Sequence, residues 1–246
     1  MKKTLTYIGF LVLLAFLTFL YSFSSHRNEA KKVKNTVVEF TSGDNNFLTH
    51  SLVDKLLIQN NDFVKNQAKR VVDLHLLETK VSSNPYVEKA TVFLTIDGDL
   101  KTIIKQRKPL ARIVNKDSSY YVDKYGVKMP LSTNFSARVP LISGVGNPEE
   151  LNEVTDLINI IVSDDFLKKE IVAIHKLANN EYSFSVRSGR YKILFGKFTN
   201  VENKFKKLKA FYNKAFVDAT IKKYKVINLK YHNQVVCTKQ TKDGKQ

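Results

Sequence analysis

An apolar run from Leu5 to Phe23 opens this chain and constrains everything behind it. It contains Leu5, Ile8, Phe10, Leu11, Val12, Leu13, Leu14, Phe16, Leu17, Phe19, Leu20 and Phe23, with no charge among them. As a helix rising about 1.5 Å per residue, its roughly 19 positions cover about 28 Å, the hydrocarbon thickness of a bilayer. About a dozen strongly apolar side chains favour insertion by on the order of 5 kcal/mol. Tyr7 and Tyr21 stand where ring anchors belong at the two interfaces. The rival is a cleaved signal peptide, with Lys2 and Lys3 as its basic start and Ser22-Phe23-Ser24 as its cleavage site. The run is longer than a signal core and no Ala-x-Ala follows, so an uncleaved anchor is expected. Arg27, Lys31 and Lys32 after the run balance the lysines before it, so charge alone does not orient the span. The expected order is a cytoplasmic stub over 1–4, a transmembrane helix over 5–23 and a basic linker over 24–32.

About 220 of the 246 residues follow the run, and 43% of the chain is hydrophobic, enough for a real core in one large or two small domains. The net charge of +17 would point to nucleic acid in a cytoplasmic protein. Here the basic residues are spread along the chain, with no Arg-rich block and no nucleic-acid motif, so no nucleic-acid partner is expected. For a tethered exported domain they solvate the surface and attract it to anionic lipid or acidic partners. Cys237 is the single cysteine, so no intramolecular disulfide is possible.

Along the chain, Val33 to Phe40 has strand character, and Thr41 to Asn46 is a turn cluster. Leu48, Leu52, Val53, Leu56 and Leu57 repeat at helical spacing, with Thr49 or Ser51 as cap, before the polar stop Gln59 to Asp62. A second helix is expected from about Lys69 to Val81, ended by Ser82-Ser83-Asn84-Pro85. Ala90, Val92, Leu94 and Ile96 alternate into Asp97-Gly98, read as a type I′ turn, and Leu100, Thr102 and Ile104 return. Strand, helix, helix, strand, strand within about 80 residues makes a small α+β unit.

Asn84-Pro85-Tyr86-Val87, Glu88-Lys89-Ala90-Thr91-Val92 and Gln106-Arg107-Lys108-Pro109-Leu110-Ala111 resemble the end of the POTRA domain of the FtsQ/DivIB cell-division family. Tyr121-Val122-Asp123-Lys124-Tyr125-Gly126 is similar to that family's Val-Asp-x-x-Gly hairpin, and Val139 to Gly144 to its Leu-Pro-x-Ile-x-Gly strand. Val226 to Gln234 is similar to the family's terminal segment, with Asn228 where the family has Asp and Lys230 where it has Arg. The resemblance implies an α+β fold: a POTRA-like βααββ domain over 33–113 and a C-terminal β domain with an open, antiparallel-rich sheet over 114–238. A polar tail follows over 239–246. It also implies a single-pass protein of the bacterial cytoplasmic (inner) membrane, with its domains extracytoplasmic and enriched at the division septum. The function implied is a non-catalytic division scaffold. Its partners would be FtsB/DivIC-like and FtsL-like bitopic proteins, with the FtsK/FtsW side of the assembly reached through the POTRA domain.

The second domain reads consistently by itself. Asn147-Pro148-Glu149-Glu150 starts a helix whose buried stripe is Val154, Leu157, Ile158 and Ile161. Asp164 or Asp165 starts another helical turn, and Ile171 to His175 is a strand. Tyr182 to Val186 and Tyr191 to Phe195 form a hairpin. Val201, Phe205, Leu208 and Tyr212 mark an amphipathic helix, with Lys204, Lys206, Lys207 and Lys209 read as its other face. Val226 to Tyr231 and Gln234 to Cys237 are the last strands.

No Gly-x-Ser-x-Gly elbow, His-Glu-x-x-His or Walker loop occurs, and the five histidines share no ligand spacing. No enzyme, cofactor or metal is therefore expected. What remains is the final strand, read either as an ordinary covered edge or as an open one, a row of N–H and C=O groups that a partner strand can fill. By resemblance, Tyr231, Asn233, Gln234, Val235 and Val236 are the positions for that contact. Lys204 and Lys207 are read either as a solvated face or as a salt-dependent dock for an acidic stretch of the same partner. The alternative function is an exported, membrane-anchored basic protein binding cell-wall or other polyanions.

Overall fold

The computed structural model describes residues 2–29, 31–41, 46–59, 62–116 and 118–240. Parts of the turn cluster expected over 41–46, of the polar stop at 59–62 and of the tail at 239–246 lie outside the described residues. The chain divides into two compact units, Met1–Arg107 and Lys108–Gln246.

The first unit begins with α1, Lys2–Glu29. Tyr7–Arg27 within it is long and apolar enough to cross a membrane, and none of that window is buried against protein. Such a helix, apolar all round and exposed, is at home in lipid rather than water. Next come β1 (Thr36–Phe40), α2 (His50–Leu56), the short pair β2 (Ile58–Gln59) and β3 (Asp62–Phe63), α3 (Leu74–Ser82), β4 (Val87–Leu94) and β5 (Leu100–Gln106). The three-stranded sheet has the order β1-β5-β4, with β1 parallel to β5 and β4 antiparallel to it. Thr49 caps α2 by accepting from the Leu52 amide at 3.4 Å. The single helix expected over 69–81 divides: Lys69–Val71 is one 3-10 turn, and Asp73 then caps α3 by accepting from the Leu76 amide at 2.9 Å. The hairpin tip also differs from a type I′ turn. Only Gly98 of the Asp-Gly pair has a positive φ (+99°), and its amide bonds the Thr95 carbonyl at 3.2 Å. This is the three-residue loop closed by a glycine bulge, which leaves Ile96 at the tip instead of in the strand. Val53, Leu57, Leu77 and Val81 of the helices pack against Val92, Leu100 and Ile104 of the sheet.

The second unit holds a nine-stranded sheet. Its strands are β6 (Ala111–Val114), β7 (Ser119–Val122), β8 (Lys128–Met129), β9 (Leu141–Ser143), β10 (Ile171–Lys176), β11 (Tyr182–Val186), β12 (Lys192–Gly196), β13 (Tyr224–Asn228) and β14 (Val236–Lys239). The spatial order is β14-β13-β12-β11-β10-β9-β6-β7-β8. Five neighbouring pairs are antiparallel and three parallel, β6/β9, β9/β10 and β12/β13. The fold is thus α+β with an antiparallel-rich mixed sheet. Ala111–Val114, read in sequence as the end of the first domain, pairs with β7 and β9 and so belongs to this second sheet.

Helices α4 (Pro148–Ser163), α5 (Asp165–Glu170) and α6 (Val201–Val217) bury their apolar stripes against one sheet face. Leu157, Ile158 and Leu208 meet Ile142, Ile174, Phe184, Ile193 and Ile227, all fully buried. Between α5, the β11–β12 turn and α6, the Glu170 carboxylate accepts from the hydroxyls of Ser188, Tyr191 and Tyr212. Burial pushes the Tyr191 hydroxyl up to about 12.

The start of α4 is a two-sided clamp. The Asn147 side chain accepts from the Glu150 amide at 2.8 Å, and Glu150 reaches back to the amides of Gly146 (2.7 Å) and Asn147 (3.4 Å). The other Glu150 oxygen pairs with the buried Lys176 ammonium of β10 at 2.7 Å. Gly144, at φ +82°, makes room, since a Cβ there would lie 2.1 Å from the Lys176 carbonyl oxygen. The hydrogen bond from Lys176 and that from Gly146 hold the Glu150 carboxyl below its ordinary range. Unfolding restores the ordinary value, so the clamp's contribution is complete above that range and is lost as pH falls through the depressed folded value. Glu150→Gln is expected to cost about 1 kcal/mol at neutral pH. Thermal melts should show that gap closing on acidification below the ordinary carboxylate range.

Candidate partner-binding site

β14 is a margin of the nine-stranded sheet. It pairs antiparallel with β13 (Val226↔Thr238, Ile227↔Cys237, Asn228↔Val236), and no strand among the described residues pairs with its other side. The strand lies two residues later than the sequence pattern places it, and β13 likewise begins and ends earlier. The reason is local: after Leu229, whose amide still bonds the Leu194 carbonyl at 2.9 Å, the Asn228 side chain accepts from the Lys230 amide at 3.0 Å and turns the chain away. Of the expected contact residues, only Val236 lies in the strand; Tyr231, Asn233, Gln234 and Val235 form the connection that leads into it. Tyr231, Asn233, Gln234 and Val236 are exposed, whereas Val235 and Cys237 pack against the core. Burial pushes the Cys237 thiol up, so it stays protonated and behaves as a small apolar side chain.

Beside this connection runs a groove of about 620 Å³, bordered by the start of α6 and the end of β12. Lys204, Lys207, Tyr231 and Asn233 all line it, so the structure brings together four of the seven residues singled out in sequence. Gln234, Val235 and Val236 continue from it along the sheet margin.

The lysines of α6 do not form one solvated face. Lys204 is buried, because the spacing 204, 208, 212 puts it on the apolar stripe with Leu208 and Tyr212. Its ammonium donates to the Lys197 carbonyl at 2.7 Å and stands 4.6 Å from the Phe195 ring centre. Desolvation and then the charge of Lys207 lower its pKa. Lys207 instead turns onto the connection, donating to the carbonyls of Tyr231, His232 (3.1 Å) and Leu229 (3.4 Å). Lys209 pairs with Asp164, and Lys206 is exposed at the rim.

Three further residues, none of them among the expected contact positions, shape the site. Lys230 crosses Gly196 to pair with Glu181 at 3.0 Å, and that ammonium holds the Glu181 carboxyl below its ordinary range. A Cβ on Gly196 (φ +78°) would stand 2.8 Å from the Lys230 stem, so glycine is what lets the lysine lie there. Forty-nine residues separate Lys230 from Glu181, and no local pattern signals that pairing.

Among the described residues no group of three or more His, Cys, Asp and Glu side chains is arranged to hold a metal. The arrangement therefore offers main-chain hydrogen bonding at a strand margin, exposed side chains leading into it and a lysine-lined groove alongside. These are the components of strand addition with a polar flank.

The model of the family described as FtsQ/DivIB, C-terminal related, matches residues 108–238. No curated protein matches the chain. Among solved structures it is similar to the major extracytoplasmic domain of the trans isomer of the cell division protein DivIB from Geobacillus stearothermophilus, at 12% identity. That likeness covers 47% of this chain and 98% of that one, with a TM-score of 0.31.

Removing the three-carbonyl clamp should loosen the connection without unfolding the unit. Lys207→Ala is expected to speed amide hydrogen exchange over 229–235 roughly tenfold, with exchange in β10 to β12 unchanged.

Proposed function

The chain belongs to the FtsQ/DivIB, C-terminal related family, and from that premise we propose that it is a non-catalytic, single-pass scaffold of the bacterial division machinery. In this reading α1 crosses the cytoplasmic membrane, the rest of the first unit and the whole of the second lie outside it, and the protein works at the septum. The margin of β14 accepts an extended segment of an FtsB/DivIC-type partner, and an FtsL-type protein joins the same assembly. The first unit, with the strand-helix-helix-strand-strand order of a POTRA domain, serves the FtsK/FtsW side.

The observation that carries this reading is the side of β14, at the end of a nine-stranded sheet, with which no strand among the described residues pairs. A strand added there gains main-chain hydrogen bonds, and exposed Tyr231, Asn233, Gln234 and Val236 are available to its side chains. Lys204 supports this surface from below instead of touching the partner, and Lys207 holds the connection in place. Lys206 and Lys197, on the groove lining, supply positive charge for an acidic flank.

Val236→Glu tests it. The residue is 39% exposed, so the fold should survive, whereas a charge at the added strand should be rejected. Co-purification of the organism's FtsB/DivIC-type protein from solubilised membranes is expected to fall at least tenfold, with the melting temperature of the extracytoplasmic portion unchanged. Full retention of that partner by a folded Val236→Glu chain would refute strand addition at β14. Retention on a soluble polyanion, lost with salt and indifferent to Val236, would favour a polyanion-binding protein instead.

A further inference from the structure

A second surface lies at the foot of α1, independent of the β14 margin. Only residues 30–35 separate α1 from β1, about 20 Å at full extension. Because β1 runs parallel to β5, the β4–β5 hairpin tip lies at the same end of the sheet as the start of β1. Hydrogen bonds draw this end together. The Lys69 amide bonds the Lys31 carbonyl and the Lys34 amide bonds the Gly98 carbonyl, each at 2.9 Å, and the Lys69 ammonium bonds the Thr95 carbonyl at 3.2 Å. A Cβ on Gly98 would stand 3.4 Å from the Lys32 carbonyl oxygen, 3.6 Å from the Lys34 stem and 3.7 Å from the Lys69 stem, so the three lysines crowd around the hairpin tip.

This end is basic and carries apolar side chains in the open. Lys31, Lys32, Lys34 and Arg70 are exposed. Ile96 at the hairpin tip is 94% exposed and Val71 is 54% exposed. The acids at this end are Asp97, exposed beside Ile96, Asp99, which accepts from Asn35, and Asp73, which caps α3; Lys31, Lys32, Lys34, Lys69 and Arg70 outnumber these three carboxylates, leaving a positive excess. Exposed apolar side chains among lysines, at the end of a unit joined to a bilayer-spanning helix, match an interface of anionic headgroups over acyl chain.

We infer that this end of the first unit docks on the anionic headgroups of the bilayer that α1 crosses, with Ile96 and Val71 entering the headgroup layer. Lys31, Lys32, Lys34 and Arg70 supply the attraction. Each such cation shifts the balance toward the surface about fivefold, within a screening distance of about 8 Å. α1 supplies proximity, and the docked end fixes the tilt of the first unit over the membrane.

The test uses the full chain carrying Cys237→Ser and Ile96→Cys, labelled at 96 with an environment-sensitive fluorophore. It is reconstituted into vesicles of phosphatidylcholine, alone or with an equal share of phosphatidylglycerol. The expected result is blue-shifted emission, quenched by spin-labelled lipid, in the anionic vesicles and not in the neutral ones. Lys31→Gln/Lys32→Gln/Lys34→Gln should reduce the docked-to-free ratio on the order of a hundredfold while far-ultraviolet circular dichroism is unchanged. A label at Lys89→Cys, near the other end of β4, should stay aqueous throughout. Aqueous emission at 96 in both vesicle types overturns the proposal. So does a shift that appears only when soluble polyphosphate is added to neutral vesicles, which would make the surface a polyanion site. Adding Val236→Glu should leave the lipid response intact, so this result and the partner test fail separately.

Discussion

Backbone hydrogen bonds run across a sheet only as far as there is another strand to receive them. In the second unit that limit is set by how the apolar stripes of α4, α5 and α6 must be buried. β12 and β13 are parallel, so the chain has to cross over between them, and α6 makes the crossover on the sheet face that α4 and α5 also cover. With Phe205, Leu208 and Tyr212 buried there, β13 is committed to its place beside β12, and its hairpin partner β14 falls at the margin. The open side is a consequence of core burial.

The charge of this protein is as much internal framework as surface. Lys176 locks the start of α4 to β10 through Glu150; Lys204 lies over Phe195; Lys207 gathers loop carbonyls; Lys230 spans Gly196 to Glu181. In each case a long aliphatic stem covers apolar or backbone atoms while the ammonium finds an acceptor. A net charge of +17 therefore overstates the density of free cations on any one face. Among the described residues, Lys31, Lys32, Lys34 and Arg70 at the foot of α1 are not used in this way.

Much of the architecture was legible in local pattern. The apolar run of α1, the alternating strands β4 and β5, and the Asn-Pro-Glu-Glu start of α4 each carry their cause within a few residues. What was not legible depended on partners far away in sequence. Ala111–Val114 looks like the exit of one domain until its pairing with β9, some thirty residues on, puts it in the second sheet. Lys204 reads as surface because charge outweighs spacing in a sequence pattern, although its i+4 relation to Leu208 places it on the buried stripe. The bounds of β13 and β14 slipped because the Asn228 side chain accepts from the Lys230 amide and turns the chain out of the sheet, which the strand-like run on to Tyr231 does not announce. The Glu170 cluster joins residues from three elements and has no sequence signature at all.

The Lys207 ammonium already holds three carbonyls of the segment leading into β14. A loop fixed before encounter need not be searched for during it, so the ordering cost that strand addition ordinarily carries, about 0.5–1.5 kcal/mol for each immobilised side chain, is reduced in the free molecule. For the strand addition proposed at β14, recognition would then be a matter of rigid shape rather than mutual adjustment: a segment of the wrong register would meet a template that does not yield, and its dwell time would be short.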